Sequence, residues 1–64
     1  MAMEVVYGQK RWSFDRAMPL ERLVEETGLR REAVLVMADG RLIREGETIP
    51  AGSKVLIISA ANGG

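Results

Sequence analysis

The sequence predicts an α+β domain in which one helix packs on one face of a mixed sheet of four or five strands. Three observations lead to this prediction. Apolar residues alternate in two short segments near the amino terminus, recur at helical spacing in the next segment, and then form short apolar runs between turn residues. A chain of 64 residues has room for one core, so we expect one domain over residues 1–60 and a flexible tail over 61–64.

The first predicted element is a β-hairpin in the segment MEVVYGQKRWSFD. Met3, Val5 and Tyr7 alternate with polar or smaller residues, and Trp12 and Phe14 do the same in the second strand. The dipeptide Gly8-Gln9 between the two segments supplies the turn. We expect one face of the hairpin to join the core, with Trp12 and Phe14 as its main anchors.

A short helix is predicted in the segment MPLERLVEETG, because Leu20, Leu23 and Val24 have the spacing of one helix face. Pro19 suits the first helical position, where its missing N–H is not needed. Gly28 suits the left-handed residue just beyond the end. The helix is therefore expected to have two to three turns.

Three more strands are predicted in the second half of the chain. A nearly continuous apolar run from Ala33 to Ala38 is followed by the hairpin signal Asp39-Gly40 and a short return at residues 42–43. The segment IPAGS then has proline and glycine placed for a tight turn, and KVLIIS reads as a last strand. The predicted order is β, β, α, β, short β, β.

Charge and composition exclude several functions. Nine basic and nine acidic residues balance, and only the pairs Lys10-Arg11 and Arg30-Arg31 are clustered, so we expect no direct binding to nucleic acid or membranes. The absence of cysteine and histidine excludes disulfides, thiolate or imidazole zinc sites and a Ser-His relay. The sequence also lacks both common glycine-rich phosphate loops, so we expect neither a bound cofactor nor enzymatic activity.

The location expected from the sequence is the cytoplasm. No charged segment followed by an apolar one resembles a secretory signal, and no apolar run approaches the ~20 residues of a membrane span.

The sequence finishes on SAANGG, with two glycines that ordinary fold stability does not require. Glycine loses more conformational freedom on ordering than any other residue, so Gly63 and Gly64 are poor structural elements. Two interpretations stay open from these residues alone. The pair is either a flexible remnant or cut end of a longer chain, or a segment that a partner protein recognises.

The element order, the length and the segment VLIISAANGG together resemble the β-grasp sulfur carriers of the ThiS/MoaD group, which belong with the ubiquitin-like proteins. The resemblance covers essentially the whole chain. Its most specific pieces are PLERLVEETGL as the helix, VLVMADGRLI as the central strand and hairpin, and IPAGSKVLIISAANGG as the last turn, strand and tail. One departure is that Ser53 and Lys54 follow Gly52, where the family usually has an acidic turn residue.

The resemblance implies that the carboxylate of Gly64 is the reactive group. In the family, an adenylyltransferase of the ubiquitin-activating type uses ATP to adenylate the terminal glycine. A sulfur donor then converts it to a thiocarboxylate, which passes its sulfur to a downstream enzyme. Ala60, Ala61 and Asn62 would form a short, slim tether. Gly63 and Gly64 would be the part presented to the partner's active site, where the absence of a Cβ on glycine permits a close approach.

Several alternatives stay open. The sulfur acceptor could belong to thiamine thiazole synthesis or tRNA thiolation, which the short length favours, or to molybdopterin synthesis. The chain could instead be a ubiquitin-like modifier that forms isopeptide bonds through Gly64, or a β-grasp interaction module with an incidental Gly-Gly.

A partner-binding patch is predicted on the sheet face that the helix leaves uncovered. Alternation places Leu35 and Met37 of the central strand, and Leu56 and Ile58 of the last strand, on the face opposite Val36 and Ile57. An exposed apolar patch near a reactive tail suits docking of the activating or accepting enzyme. The alternatives are strands that are simply apolar on both faces, or a homodimer, although we expect a monomer. Arg41, Arg44 and Lys54 are candidate rim residues.

Overall fold

The structure is a computed structural model that describes residues 2–60. In chain order its elements are β1 (Met3–Tyr7), β2 (Lys10–Phe14), β3 (Met18–Pro19), α1 (Leu20–Thr27), a 3-10 turn (Arg31–Ala33), β4 (Val34–Ala38), β5 (Arg41–Ile43), β6 (Thr48–Ile49) and β7 (Lys54–Ser59). Among the described residues, α1 packs against a mixed five-stranded sheet, so the α+β prediction is confirmed.

The five strands lie in the order β2-β1-β7-β4-β5, with a second, two-stranded sheet formed by β3 and β6. β1 and β7 are parallel, with Val5 opposite Val55, whereas the β1–β2, β4–β7 and β4–β5 pairs are antiparallel. The first and last strands of the described chain are therefore neighbours in the middle of the sheet.

The core lies between α1 and one face of the sheet. Apart from Ala38, its large apolar side chains are at most 3% exposed. They come from α1, from β6 and from every strand of the main sheet except β2: Met3 and Val5; Leu20, Leu23 and Val24; Val34, Val36 and Ala38; Ile43; Ile49; Val55 and Ile57. The helix contributes the three residues that its sequence spacing predicted.

The prediction that Trp12 and Phe14 are the main anchors of the hairpin is wrong. Both are only partly buried, whereas Met3 and Val5 on the neighbouring strand are fully buried. One helix is too narrow to cover the whole sheet, because five strands span about 19 Å and a helix is about 10 Å across. β2 is an edge strand, so its side chains lie at the margin of the covered area.

The helix ends follow local sequence chemistry. Gly28 has φ of 78° and its N–H donates to the carbonyl of Glu25 at 3.1 Å, which confirms the predicted left-handed end. The helix begins one residue later than predicted, because Pro19 has an extended ψ of 152° and pairs with Thr48 in the small sheet. A proline with no donor fits this two-residue strand as well as it fits a helix start.

Two turns tie the second half of the chain to the last strand. Asp39 and Gly40 have φ of 51° and 83°, the pair of positive values that a type I′ hairpin needs. Asp39 also accepts a hydrogen bond from the Lys54 N–H through Oδ1 at 3.0 Å. In the turn before β7, Ser53 is buried and its hydroxyl donates to the carbonyl of Pro50 at 2.7 Å. Serine thus closes this turn without the acidic residue that the resemblance leads one to expect.

Candidate functional site

The sheet face opposite α1 is apolar and exposed. On β7, Val55 and Ile57 are buried, while Leu56 is 47% and Ile58 is 40% exposed. On β4, Leu35 is 41% exposed between the buried residues Val34 and Val36. Because successive strand residues point to opposite faces, these exposed side chains share the face that the helix does not cover.

Strand register brings the exposed residues into two adjacent rows. Val6 is opposite Leu56, Leu56 is opposite Met37, and Met37 is opposite Leu42. Leu35 and Ile58 are opposite each other in the next row. We call this apolar surface the open face, and its members are Val6, Leu35, Met37, Leu42, Leu56 and Ile58.

All four residues of the predicted patch lie on the open face, but they are not equally accessible. Met37 lies in the middle of its row and is half-buried, because Leu56 and Leu42 flank it on both sides; the other three are exposed. Sequence reasoning missed Val6 and Leu42. Val6 follows the buried Val5, and Leu42 precedes the buried Ile43, so alternation within each short strand was the signal that could have identified both.

The charged margin of the open face differs from the predicted rim. Arg11 is opposite Val6 and therefore flanks the longer row, and Lys54 is beside Glu4 at one end. Arg41 is opposite the buried Ala38, which places it on the helix side, and its Nη1 contacts Oε2 of Glu47 at 3.4 Å. Of the predicted rim residues, Lys54 thus has a position on this face and Arg41 does not.

Glu47 organises the loop that follows β5. Its Oε1 accepts the Arg44 N–H at 2.7 Å. This backbone hydrogen bond, followed by the Arg41 guanidinium, holds the pKa of the Glu47 carboxyl below its ordinary value of 4.5. On the other side of the loop, the Gly46 N–H donates to Oε2 of Glu21 on the helix at 3.2 Å. These carboxylates bind backbone of the same chain, which is a structural role.

The described end of the chain lies against the start of β4. Val34 is opposite Ser59, and the Ala60 N–H donates to the carbonyl of Ala33 at 2.9 Å. On the other side of β7, a shallow concavity of about 540 Å³ separates the strand end from the β1–β2 turn; its lining is Tyr7, Gly8, Gln9, Lys10, Ile57, Ile58 and Ser59. Asn62, Gly63 and Gly64, on which the resemblance puts the reactive group, lie outside the described residues.

Within residues 2–60, no three acidic side chains come together as a metal site would require. The same part of the chain has no helix of the length and apolarity that crossing a bilayer takes. No model of a known protein family matches the sequence. A search of curated proteins also finds no significant match.

Proposed function

We propose that the domain has the β-grasp fold and that the protein is a sulfur carrier whose reactive group is the carboxylate of Gly64. The observation that carries this proposal is the place of β7. It is the central strand of the sheet, between β1 and β4, and it leads from the edge of the open face directly into the segment that holds Gly63 and Gly64. The strand order, with its parallel pair β1 and β7, is compatible with a β-grasp domain.

The chemistry assigns this chain the role of substrate. The Gly64 carboxylate attacks the α-phosphorus of ATP on an adenylyltransferase of the ubiquitin-activating type, and pyrophosphate leaves. A persulfide on a sulfur donor then displaces AMP, and a thiol cleaves the resulting acyl disulfide, releasing the thiocarboxylate and forming a disulfide with the donor. All catalytic groups belong to the partners, and ATP binds there. Ser53 is not available as a nucleophile in this chain, because it is buried and its hydroxyl donates a hydrogen bond to the Pro50 carbonyl.

The open face supports the proposal as a docking surface for the activating enzyme. A folded carrier must be held while its tail enters another active site, and a few side chains that become fully desolvated on binding supply most of the energy of such contacts. Leu35 and Ile58 are the open-face residues nearest the end of β7, because Leu35 follows Val34, the partner of Ser59. Docking on this face therefore brings the tail to the partner at the same time.

The sulfur acceptor that the proposal favours belongs to thiamine thiazole synthesis or to tRNA thiolation, with molybdopterin synthesis as the third possibility. The basis is the resemblance of the sequence to the sulfur carriers.

Intact-mass analysis of the protein isolated from its native cells tests the proposal. Replacement of one carboxyl-terminal oxygen by sulfur on Gly64 is the expected result, and a chain with Gly64 deleted is the matched control that should remain unmodified. Peptides in which Gly64 is linked to a lysine of another protein would instead establish a ubiquitin-like modifier. A plain carboxylate under all conditions of sulfur supply would contradict both and favour a non-reactive interaction module.

A further inference from the structure

The fold brings the two basic pairs of the sequence to the same end of the molecule. Lys10 and Arg11 begin β2, and Lys10 lines the concavity beside Ile58 and Ser59. Arg30 and Arg31 lie at the start of the 3-10 turn whose Ala33 carbonyl accepts the Ala60 N–H. The pairs are about twenty residues apart in sequence, yet they flank the end of β7 from its two sides. We call Lys10, Arg11, Arg30 and Arg31 the basic end.

The cations of the basic end have no acidic partner in the described part of the chain. Both ion pairs found there, Arg22 with Glu26 and Arg41 with Glu47, lie elsewhere. Lys10, Arg11 and Arg30 are exposed, and Arg31 is half-buried. The Nε of Arg31 is buried without a hydrogen-bond partner among residues 2–60. The positive charges of this end, which no acidic side chain compensates, therefore favour the approach of a surface that bears carboxylates.

Charge is therefore unevenly distributed in a protein with no net charge. The three segments that meet at this end, residues 7–11, 29–35 and 57–60, contain four basic residues and one acidic residue, Glu32. Glu25 lies in the last turn of the helix that leads to this region. The remaining acidic residues are distributed over the rest of the chain, so the end from which the tail leaves is the positively charged part of the described molecule.

We propose that the basic end docks on an acidic, carboxylate-bearing surface of the activating enzyme, at the mouth of the site that receives the tail. This inference rests on the proposed function. Such a surface would steer the carrier toward the enzyme and fix the direction from which the tail enters.

A protein partner fits these residues better than RNA. The basic end continues into the open face at Leu35 and Ile58, which gives the combination of an apolar centre and an arginine-rich margin found in protein interfaces. RNA-binding surfaces instead combine an extended basic groove with exposed aromatic residues for base stacking. Tyr7 is the aromatic residue that lines the concavity, and it is half-buried.

NMR titration of the isotope-labelled protein tests the inference with two defined probes, a hexaglutamate peptide and an oligouridine RNA. Hexaglutamate is expected to shift the amide signals of the basic end, and raising the salt concentration should abolish the shifts. The double variant Lys10→Glu/Arg30→Glu, at two exposed positions, should reduce the shifts about fivefold or more at a fixed peptide concentration. The control Arg16→Glu/Arg22→Glu makes the same charge change elsewhere and should reduce them less than about twofold. Equal effects of the two variants, or tighter binding of oligouridine than of hexaglutamate, would overturn the inference.

A second measurement separates this inference from the proposed function. Both double variants replace the wild-type chain in native cells, and the thiocarboxylate fraction on Gly64 is measured at equal protein levels. The inference predicts a lower fraction for Lys10→Glu/Arg30→Glu than for the control variant. If the wild type carries the thiocarboxylate and Lys10→Glu/Arg30→Glu carries as much, the inference fails and the function stands. If the wild type carries no thiocarboxylate, the proposed sulfur-carrier function is wrong, and the inferred docking site for an activating enzyme is then wrong as well.

Discussion

The two faces of the five-stranded sheet carry the same kinds of side chain in different surroundings. Ile57 and Ile58 are consecutive residues of β7, yet Ile57 is 1% exposed beneath the helix and Ile58 is 40% exposed on the open face. Hydrophobicity therefore does not decide which face becomes the core. The described chain has one α-helix, of eight residues and about 12 Å, and this covers a single face. The apolar side chains of the other face therefore remain partly exposed to solvent.

The largest expected effect comes from truncating the covered residue of this pair. Ile57→Ala should lower the free energy of unfolding by about 3 kcal/mol, because it leaves a cavity in a fully packed core. A domain of this size has only about 3–5 kcal/mol from its core, so this variant is expected to be partly unfolded at 25 °C. Ile58→Ala is the matched control and should cost less than about 1 kcal/mol. Urea denaturation followed by circular dichroism measures both, and equal losses would mean that the two faces are not distinct.

A change at the exposed residue, Ile58, should affect function more than stability. Ile58→Glu should leave the protein folded but reduce the thiocarboxylate fraction on Gly64 about tenfold, because a charge in the centre of a docking surface must be desolvated. The same change at Met37 should act in the same direction. Thr48→Glu, at an exposed position of the small sheet, is the control. The readouts are intact mass in native cells and the melting temperature of each purified variant. A folded Ile58→Glu with the wild-type thiocarboxylate fraction would remove the open face from the docking site.

Most of the covered face could be predicted from the sequence, because its signals are local. The spacing of Leu20, Leu23 and Val24 and the dipeptide Asp39-Gly40 require no knowledge of distant residues. The small sheet was missed, since two-residue strands at Met18–Pro19 and Thr48–Ile49 have no measurable period.

The open face and the basic end were predictable only in part. Alternation identified four members of the open face. Which strands become neighbours depends on non-local pairing, so the positions of Val6 and Leu42 beside these four residues are known only from the strand register of the structure. The two basic pairs were visible in the sequence as clusters, and nothing local indicated that β7 would end between them. Edge position likewise explains why Trp12 is less buried than its size suggests.

A third variant, Gly28→Ala, should weaken the end of the helix that covers one face of the sheet. Gly28→Ala should cost about 1 kcal/mol, because φ of 78° is a left-handed conformation that disfavours a Cβ. Apart from its two chain neighbours, no residue has an atom within 4 Å of the added Cβ, so the cost comes from backbone conformation and not from packing. Glu25→Ala, at an exposed helix position, should change stability by less than about 0.5 kcal/mol and serves as the control. Denaturation in urea measures the difference. A loss for Gly28→Ala no larger than for the control would show that this end of the helix does not need its left-handed residue.

The smallest expected effect concerns the loop that runs from β5, at the edge of the open face, back toward the helix. The hydrogen bond from the Arg44 N–H, and then Arg41, lower the pKa of Glu47 in the folded protein. A carboxyl whose pKa is lower in the folded state stabilises that state above its unfolded pKa, and this contribution disappears as the pH falls through the folded pKa.

Glu47→Gln keeps an oxygen acceptor for the Arg44 N–H but removes the charge, so it should lower the melting temperature slightly near neutral pH. The difference from the wild type should shrink as the pH falls below the ordinary value of 4.5 and through the lower pKa of Glu47 in the folded protein, where the wild-type carboxyl also becomes protonated. Glu45→Gln removes the same charge from the same loop, where no side-chain hydrogen bond to Glu45 is described, and controls for net charge. Melting temperatures of the three proteins between neutral and acidic pH provide the test. A Glu47→Gln difference that stays constant across this range would mean that the contribution of Glu47 does not depend on its ionised carboxylate.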